Sequence, residues 1–231
     1  MFLNKIKSKL EPTINKNQAL IISEAFGDLQ KIVAITCFLN RKSDTIIVCQ
    51  SIEEAKTLFD LAKYTFNITN SLYFPDFNLE SYSKAASSKE INQTRIDTLY
   101  SLLNNKGAKL LITTTLAFIY KTITKEYLQT KQLSITISQK LSISDVLKFL
   151  IENGYNKKDR VTYQGEFAIR GDIIDIYSAS NSPVRISFFD NVVESIKTFD
   201  IVSQRSQQKL TNYNIVLPLE LSLTEEAINN F

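Results

Sequence analysis

The chain has 231 residues, of which 44% are hydrophobic, and carries a formal net charge of +3. This length and hydrophobic content are enough for one or two packed domains, and the small positive charge permits contact with nucleic acid without indicating it. The sequence contains no histidine, which excludes Ser-His-Asp and Cys-His catalytic groups and histidine-ligated zinc.

The N-terminal half of the chain alternates short apolar runs with helical patterns. We predict strands at Ala19–Ser23, Thr45–Gln50, Leu72–Phe74 and Lys109–Thr114, and helices at Asp28–Leu39, from Ser51 onward and at Ser88–Leu103. Ser51 followed by Glu54 matches a capping box at a helix start. Strands that alternate with helices are typical of a parallel sheet covered on both faces.

The pattern changes after about residue 130. We predict strands at Leu133–Ile137, Phe167–Tyr177, Val184–Phe189, Val192–Phe199 and Tyr213–Leu217, and helices from Ser142 to about Asn153 and from Thr224. Gly154 is a favourable helix end, and Asp190-Asn191 is a favourable tight turn. The pattern indicates a small antiparallel α+β domain inserted in the first one. The predicted domains are residues 1–130, residues 131–212 for the insertion, and residues 213–231 for a return into the first domain.

The five glycines do not form a phosphate-binding loop. No two of them have the separation of the motif GxxxxGK[ST], in which backbone N–H groups approach phosphate closely. An ordinary P-loop ATPase is therefore excluded, and we expect no bound cofactor and no metal.

The N-terminal residues do not resemble a secretory signal. Met1–Leu10 is basic, but neither a long apolar stretch nor a small-residue cleavage site follows it. No apolar run in the sequence approaches the ~20 residues that a membrane-spanning helix needs. We therefore expect a cytoplasmic protein, in which Cys37 and Cys49 are reduced and buried.

The predicted strand Val184–Phe189 carries an unusual solvent-facing side. Alternation directs Arg185 and Phe189 away from the core, and a phenylalanine beside an arginine on such a face is typical of interface hot spots. In the preceding strand Arg170 also points outward, and a bulge at Gly171 would turn the following isoleucines inward. Arg170, Arg185 and Phe189 could thus share one surface. Periodicity alone slightly favours the alternative that Phe189 packs under a loop and both arginines are solvated.

Five segments of the chain resemble bacterial transcription-repair coupling factors. They are, in order, Phe74–Tyr82, Arg95–Tyr100, Gly165–Ile176, Arg185–Asp190 and Phe199–Ser206. The first two resemble the region after the third strand of those factors. The next two are similar to a domain that the factors share with the excinuclease protein UvrB and that binds the excinuclease protein UvrA. Phe199–Ser206 resembles the coupling-factor form of the signature that closes this domain. The similarity extends from about Ile21 to Phe231.

The resemblance implies a fold class and separates the chain from UvrB. The implied α/β fold is a degenerate RecA-like parallel-sheet domain with an inserted small antiparallel α+β domain of the UvrA-binding type. UvrB carries a P-loop and a long aromatic hairpin, whereas here the P-loop position reads Phe26–Lys31 and residues 75–90 are too few for the hairpin. Full coupling factors continue into a polymerase-binding domain and a DNA translocase. We therefore expect a truncated module, with RNA polymerase contacted only through regions absent from this chain.

The resemblance also implies the partner-binding residues. In the family, two arginines and a phenylalanine of the inserted domain bind UvrA, and they align with Arg170, Arg185 and Phe189. Phe189 would be the apolar anchor, and the arginines would pair with carboxylates of the partner. We predict a module of transcription-coupled nucleotide excision repair that recruits UvrA and has no catalytic residues.

Two other functions are open at the level of sequence. The alternating α/β half suggests a divergent helicase or ATPase lobe, although Lys31 alone cannot cradle a triphosphate. The basic cluster Lys157, Lys158 and Arg160 near Tyr163 suggests a DNA-binding module. Weak, salt-sensitive and non-specific affinity for DNA is the most that we expect of this cluster.

Overall fold

The computed structural model describes residues 27–41, 43–77, 85–179 and 181–220. Within these ranges the chain divides into two compact units, one built from residues 27–77 and 104–120 and the other from residues 85–103 and 121–220. The predicted strand Ala19–Ser23 and the predicted helix from Thr224 lie outside the described residues. Parallel and antiparallel sheets are both present together with helices, which confirms a mixed α/β fold.

The first unit is a short parallel sheet with helices. Its elements are α1 (Asp28–Arg41), β1 (Thr45–Cys49), α2 (Ile52–Asp60) continued by a π-helical turn (Leu61–Thr65), β2 (Ser71–Phe74), β3 (Leu110–Thr114) and α4 (Thr115–Ile119), while α3 (Ala85–Asn104) lies almost entirely in the second unit. The strands pair in the order β1-β3-β2, all parallel. Parallel neighbours need crossover connections, usually helical, so alternating strands and helices predicted the parallel pairing correctly. The predicted cover on both faces stays a prediction.

A side-chain cap begins α2 where the sequence predicts it. Ser51 Oγ accepts a hydrogen bond from the Glu54 N–H at 3.1 Å. The Glu54 carboxylate accepts the N–H of Gln50 at 3.1 Å, so the second bond of the capping box reaches one residue further back than the usual pattern.

The two cysteines are both unpaired thiols. Cys49 is buried in the core of the first unit, whereas Cys37 on α1 is only half-buried, so the expectation of burial is fully right for Cys49 alone. Burial raises the pKa of both thiols, that of Cys49 to about 11. Because their pKa values are raised, both thiols stay protonated near neutral pH. The thiolate is the reactive form of cysteine, so this protonation lowers their reactivity.

The second unit is built on a six-stranded sheet. Besides α3, its elements are α5 (Lys125–Thr130), β4 (Gln132–Thr136), α6 (Ile143–Glu152), β5 (Asn156–Lys157), β6 (Glu166–Arg170), β7 (Ile173–Tyr177), β8 (Val184–Phe189), β9 (Val192–Phe199), β10 (Ser206–Leu210) and β11 (Asn212–Val216). The sheet order is β10-β9-β8-β7-β6-β5, antiparallel except for the parallel pair β5 and β6. Strands β4 and β11 form a separate antiparallel pair.

The prediction of one strand at Phe167–Tyr177 is wrong. The segment is a hairpin of β6 and β7, joined by a tight turn at Gly171-Asp172 in which Gly171 has φ 59°. No bulge interrupts this pairing, and the turn itself brings Ile174 and Ile176 to the core side. Strand β10 was not predicted, because Ser206–Leu210 is polar and almost entirely exposed.

Other local predictions for the second unit are confirmed. Ser142 Oγ caps α6 by accepting the N–H of Asp145 at 3.1 Å, and Gly154 follows the helix with φ 83°. Asp190 and Asn191 have φ 48° and 59°, as a two-residue turn between twisted antiparallel strands requires.

The main core of the second unit lies between α6 and one face of the sheet. Val146 and Leu150 of α6 pack there against the sheet, and Tyr213 and Ile215 of β11 join the same cluster. The inward sheet residues are Phe167, Ile174, Ile176, Val184, Ile186, Phe188, Val193 and Ile196. The predicted domain boundaries at residues 130 and 212 stay a prediction.

Helix α3 is joined to the segment after β11 by buried polar bonds. The guanidinium of Arg95, which is 0% exposed, binds both carboxylate oxygens of Glu220, and Thr122 donates to the same carboxylate. The hydroxyl of Tyr100 accepts the N–H of Leu217 at 3.1 Å. The segment Arg95–Tyr100 thus has a structural role.

Among the described residues, none of the helices has the length and hydropathy of a membrane span.

Candidate partner-binding face

The three predicted partner-binding residues lie on one face of the six-stranded sheet. Directly paired residues on antiparallel strands share a face. Arg170 pairs with Ile173, and Ile173 pairs with Ser187, which lies between Arg185 and Phe189 in the alternation of β8. From the usual strand spacings, the Cα atom of Arg170 is about 12 Å from those of Arg185 and Phe189. We call this side of the sheet, opposite α6, the outer face.

Phe189 is the most exposed large hydrophobic side chain of the six-stranded sheet within the described residues. It is 74% exposed, whereas Phe188, one residue earlier, is 6% exposed and lies in the core. Strand β8 ends at Phe189, and the tight turn at Asp190-Asn191 follows at once, so the ring stands free at the end of the strand. The alternative in which Phe189 packs under a loop is therefore wrong.

Arg185 is held within the sheet instead of being free in solvent. Its Nε and Nη2 atoms donate to the two carboxylate oxygens of Asp175, at 2.7 and 2.8 Å. Asp175 is its direct neighbour on β7 and is only 2% exposed. Hydrogen bonding to this carboxylate raises the pKa of Arg185, against the opposing effect of burial. A carboxylate of the chain itself therefore binds two of the nitrogens that the resemblance assigns to a partner carboxylate. The role of Arg185 in partner binding stays a prediction.

Further contacts surround the Arg185 guanidinium. Nη1 donates to the carbonyl of Gln204 at 3.3 Å and to Ser206 Oγ at 3.4 Å. The ring of Phe199 lies beneath it, 5.3 Å from the guanidinium carbon to the ring centroid. About a fifth of the Arg185 side chain, 21%, remains exposed. These contacts define the orientation of the Arg185 guanidinium, and only a small part of the side chain faces solvent.

Arg170 differs from Arg185 in both exposure and pairing. It lies at the end of β6, next to the Gly171-Asp172 turn, and its side chain is exposed. Its Nη2 donates to the carbonyl of Asp159 at 3.1 Å. A carbonyl carries no net charge, so the positive charge of Arg170 is available to an acidic partner.

Two loops cover the part of the outer face nearest to Arg185: the first is residues 158–165, before β6, and the second is residues 200–205, after β9. Val161 of the first loop packs with Ala168 and Phe199 in a small hydrophobic cluster on this face. Arg160 Nη2 joins the loops by donating to the carbonyls of Ile201, at 3.0 Å, and Val202. Lys157 and Lys158 of the basic cluster are exposed, but Arg160 is used in this internal contact.

Glu166 organises the first of these loops. Its Oε2 atom accepts the N–H groups of Thr162 and Tyr163 at 2.9 and 3.0 Å. Tyr163 follows in the loop with a side chain that is 71% exposed. A buried carboxylate thus orders a loop that displays an aromatic residue.

Lys31, the basic residue at the position where UvrB carries its P-loop, belongs to the first turn of α1. Its Nζ lies 3.0 Å from Asp28 Oδ1, three residues earlier on the same helix. The local geometry is that of an intrahelical surface pair.

Sequence reasoning missed Asp175. The available signal was an acidic residue inside an isoleucine-rich strand, on the side opposite Ile174 and Ile176. Identifying Arg185 as its partner needs the register of β7 against β8, which alternation does not specify.

A family model described as the UvrB interaction domain matches residues 133–219. This range begins within β4 and ends after β11, so it includes the whole six-stranded sheet and its outer face.

Curated relatives are transcription-repair-coupling factors. Those of Rickettsia bellii and Rickettsia conorii are 34% and 33% identical over 192 and 194 residues, and each match covers 83% of this chain. The factor of Staphylococcus haemolyticus is 27% identical over 195 residues, or 84% of this chain. These matches cover only 16–17% of the relatives, so the chain spans about a sixth of their length.

Proposed function

This chain is a homologue of the transcription-repair-coupling factors and contains a UvrB interaction domain at residues 133–219, and on that premise we propose that it docks the excinuclease protein UvrA through the outer face of its six-stranded sheet. The process served is transcription-coupled nucleotide excision repair. The chain recruits its partner and performs no chemistry itself.

The exposed ring of Phe189 is the observation that carries this proposal. At 74% exposure the ring gains little from burial within the chain, whereas burial against a partner would remove most of its apolar surface from water. Aromatic residues and arginine are enriched at the few positions that dominate binding energy. Phe189 is therefore the apolar contact of the docking face.

The two arginines contribute in different ways. Arg170 is exposed and its recorded hydrogen bond goes to a neutral carbonyl, so it attracts an acidic group of the partner. Arg185 is already paired with Asp175 and offers only its remaining exposed surface. Replacing Arg185 would also disturb the sheet, so a binding loss in Arg185→Ala is weaker support for docking than a loss in Phe189→Ala.

The sequence supports a non-catalytic role. The chain has no histidine, and its glycines are not spaced as a phosphate-binding loop requires. Lys31 is paired with Asp28 on α1. A steady-state ATPase rate above background for the pure chain would contradict this part of the proposal.

A binding titration of the full chain against purified UvrA tests the proposal. Phe189→Ala is expected to weaken binding by ~1–3 kcal/mol, as loss of an interface hot spot does. Because the side chain is exposed, the thermal unfolding of this variant should match that of the parent chain.

Ile151→Ala is the matched control. Ile151 is a large apolar residue of α6 with 66% exposure, on the side of the unit opposite the outer face. Its replacement should leave the affinity for UvrA unchanged. Equal affinities for the parent chain and Phe189→Ala, or equal losses in Phe189→Ala and Ile151→Ala, would refute docking through the outer face.

A further inference from the structure

Asp175 is a charged residue buried on the outer face. It lies in β7 directly opposite Ala168 of β6, which is 1% exposed, and is itself 2% exposed. Burying a carboxylate is costly unless it is paired and hydrogen-bonded, and here a single guanidinium binds both of its oxygens. Replacing a buried ion pair by apolar residues of similar volume is often neutral or stabilising, so fold stability alone gives little reason for a charged pair at this place.

The pair gives Arg185 one defined orientation. Asp175 binds the Nε and Nη2 edge, the Gln204 carbonyl and Ser206 Oγ accept from Nη1, and the Phe199 ring supports one face of the group. An arginine free in solvent samples many rotamers, and a partner must immobilise it on binding. Here the immobilisation is completed when the chain folds.

We propose that Asp175 is a positioning residue for docking, which holds the Arg185 guanidinium in the orientation that the partner meets. The proposal rests on the proposed function of the outer face and identifies a residue of that face which does not itself touch the partner. Asp175 acts through Arg185, because its own carboxylate is sealed beneath the surface.

The size of the effect follows from the cost of ordering one long side chain on binding. That cost corresponds to about a 2- to 12-fold change in affinity. Asp175→Asn retains the shape of the side chain and one acceptor oxygen. It loses the negative charge and the second oxygen, so it can no longer accept hydrogen bonds from both Nε and Nη2 of Arg185 through two oxygens. We expect Asp175→Asn to weaken UvrA binding by a factor in this range.

A double-mutant cycle separates positioning from a general structural effect. The affinity of the full chain for purified UvrA is measured for Asp175→Asn, Arg185→Ala and the double variant, with thermal unfolding recorded for each. If Asp175 acts through Arg185, Asp175→Asn should change the affinity no further once Arg185 is alanine. In a Phe189→Ala background its full effect should persist, since the Cα atoms of Phe189 and Arg185 are about 13 Å apart along β8.

Two further measurements keep the test decisive if Asp175→Asn folds poorly. Arg185→Lys retains the charge but cannot bind both oxygens of Asp175 at once, so it should weaken docking to a similar extent. In the free chain, the Nε–H proton of Arg185 should exchange slowly with solvent in an NMR experiment and rapidly in Asp175→Asn. This exchange measurement needs no partner.

The outcomes distinguish the inference from the function on which it rests. If Phe189→Ala weakens binding while Asp175→Asn and Arg185→Lys bind as the parent does, positioning is wrong and docking stands. An equal loss from Asp175→Asn with and without Arg185 also overturns positioning. If Phe189→Ala has no effect either, the docking function itself fails, and the inference fails with it.

Discussion

Two arginine–carboxylate pairs of the second unit lie in regions that water reaches to very different extents. Where α3 meets the segment after β11, the side chains of Arg95 and Glu220 are 0% and 2% exposed. On the outer face, Asp175 is similarly buried, but the Arg185 side chain is 21% exposed. The sealed pair of Arg95 and Glu220 therefore only joins two segments of the chain. The pair of Arg185 and Asp175 joins two strands and also presents a charged group at the surface.

The comparison predicts the largest effect for the sealed pair. Arg95→Ala leaves the Glu220 carboxylate buried without its guanidinium partner, which is expected to cost ~3–5 kcal/mol of the free energy of unfolding. Chemical denaturation of the full chain, followed by circular dichroism, measures the loss.

Lys148→Ala is the matched control for this prediction. Lys148 and Glu152 form a 3.9 Å pair on α6 with both side chains largely exposed, and such pairs contribute ~0–0.5 kcal/mol. Similar losses in the free energy of unfolding for Arg95→Ala and Lys148→Ala would contradict the prediction, because burial would then not determine how much an ion pair contributes to stability.

A smaller loss of stability is expected at the outer face. Arg185→Ala also leaves a buried carboxylate without its partner, but water can enter through the exposed edge of the site, so we expect roughly 2–3 kcal/mol. The double variant Asp175→Asn with Arg185→Ala removes both charges and should recover part of this loss in the same denaturation experiment. A loss at Arg185 as large as the loss at Arg95 would contradict the distinction between the two regions.

The smallest effect on stability is expected for Arg170. Its exposed side chain makes one hydrogen bond to a backbone carbonyl, so Arg170→Ala should change the free energy of unfolding by less than ~0.5 kcal/mol. Its exposed charge should nevertheless steer association, because long-range attraction between unlike charges raises the on-rate at low salt.

Association rates with UvrA as a function of salt concentration test this steering. Arg170→Ala should reduce the salt dependence of the on-rate, whereas Arg185→Ala should reduce it less, because Asp175 already offsets the charge of Arg185. Lys148→Ala, on α6 away from the outer face, serves as the control cation. An equal change in the salt dependence of Arg170→Ala and Lys148→Ala would remove the special role of Arg170.

Local features of the second unit could be predicted because short-range chemistry dictates them. A two-residue period correctly placed Phe188 on the core side of β8 and Phe189 on the opposite side, since successive strand residues point to opposite faces. It did not predict that the Phe189 ring is uncovered, because periodicity alone slightly favoured a loop packed over it. Ser142 was recognisable as a helix cap, and Asp190-Asn191 as a turn whose two residues both take positive φ.

The hairpin of β6 and β7 shows where short-range patterns were insufficient. One long apolar run looked like a single strand, because the two-residue turn at Gly171-Asp172 is too short to interrupt the hydrophobic pattern visibly. Strand β10 was missed for the opposite reason. It is an edge strand with exposed polar residues, and its formation depends on hydrogen bonds to β9.

Gly165 is a further case in which a residue type is explained only by a distant contact. Its φ is 79°, and a side-chain carbon at this position would approach Pro218 Cβ to 2.9 Å. Positive φ alone favours glycine, but the close approach of a residue more than fifty positions away is invisible in the local sequence.

By itself, the sequence determined the mixed α/β character, the inward and outward sides of β8, and the relationship to transcription-repair-coupling factors, because these depend on periodicity and on runs of matching residues. The tertiary structure alone decided that Arg185 pairs with Asp175 and that Arg95 pairs with Glu220. Both pairings join residues that only strand register or chain packing brings together, and burial then determines which guanidinium still faces solvent.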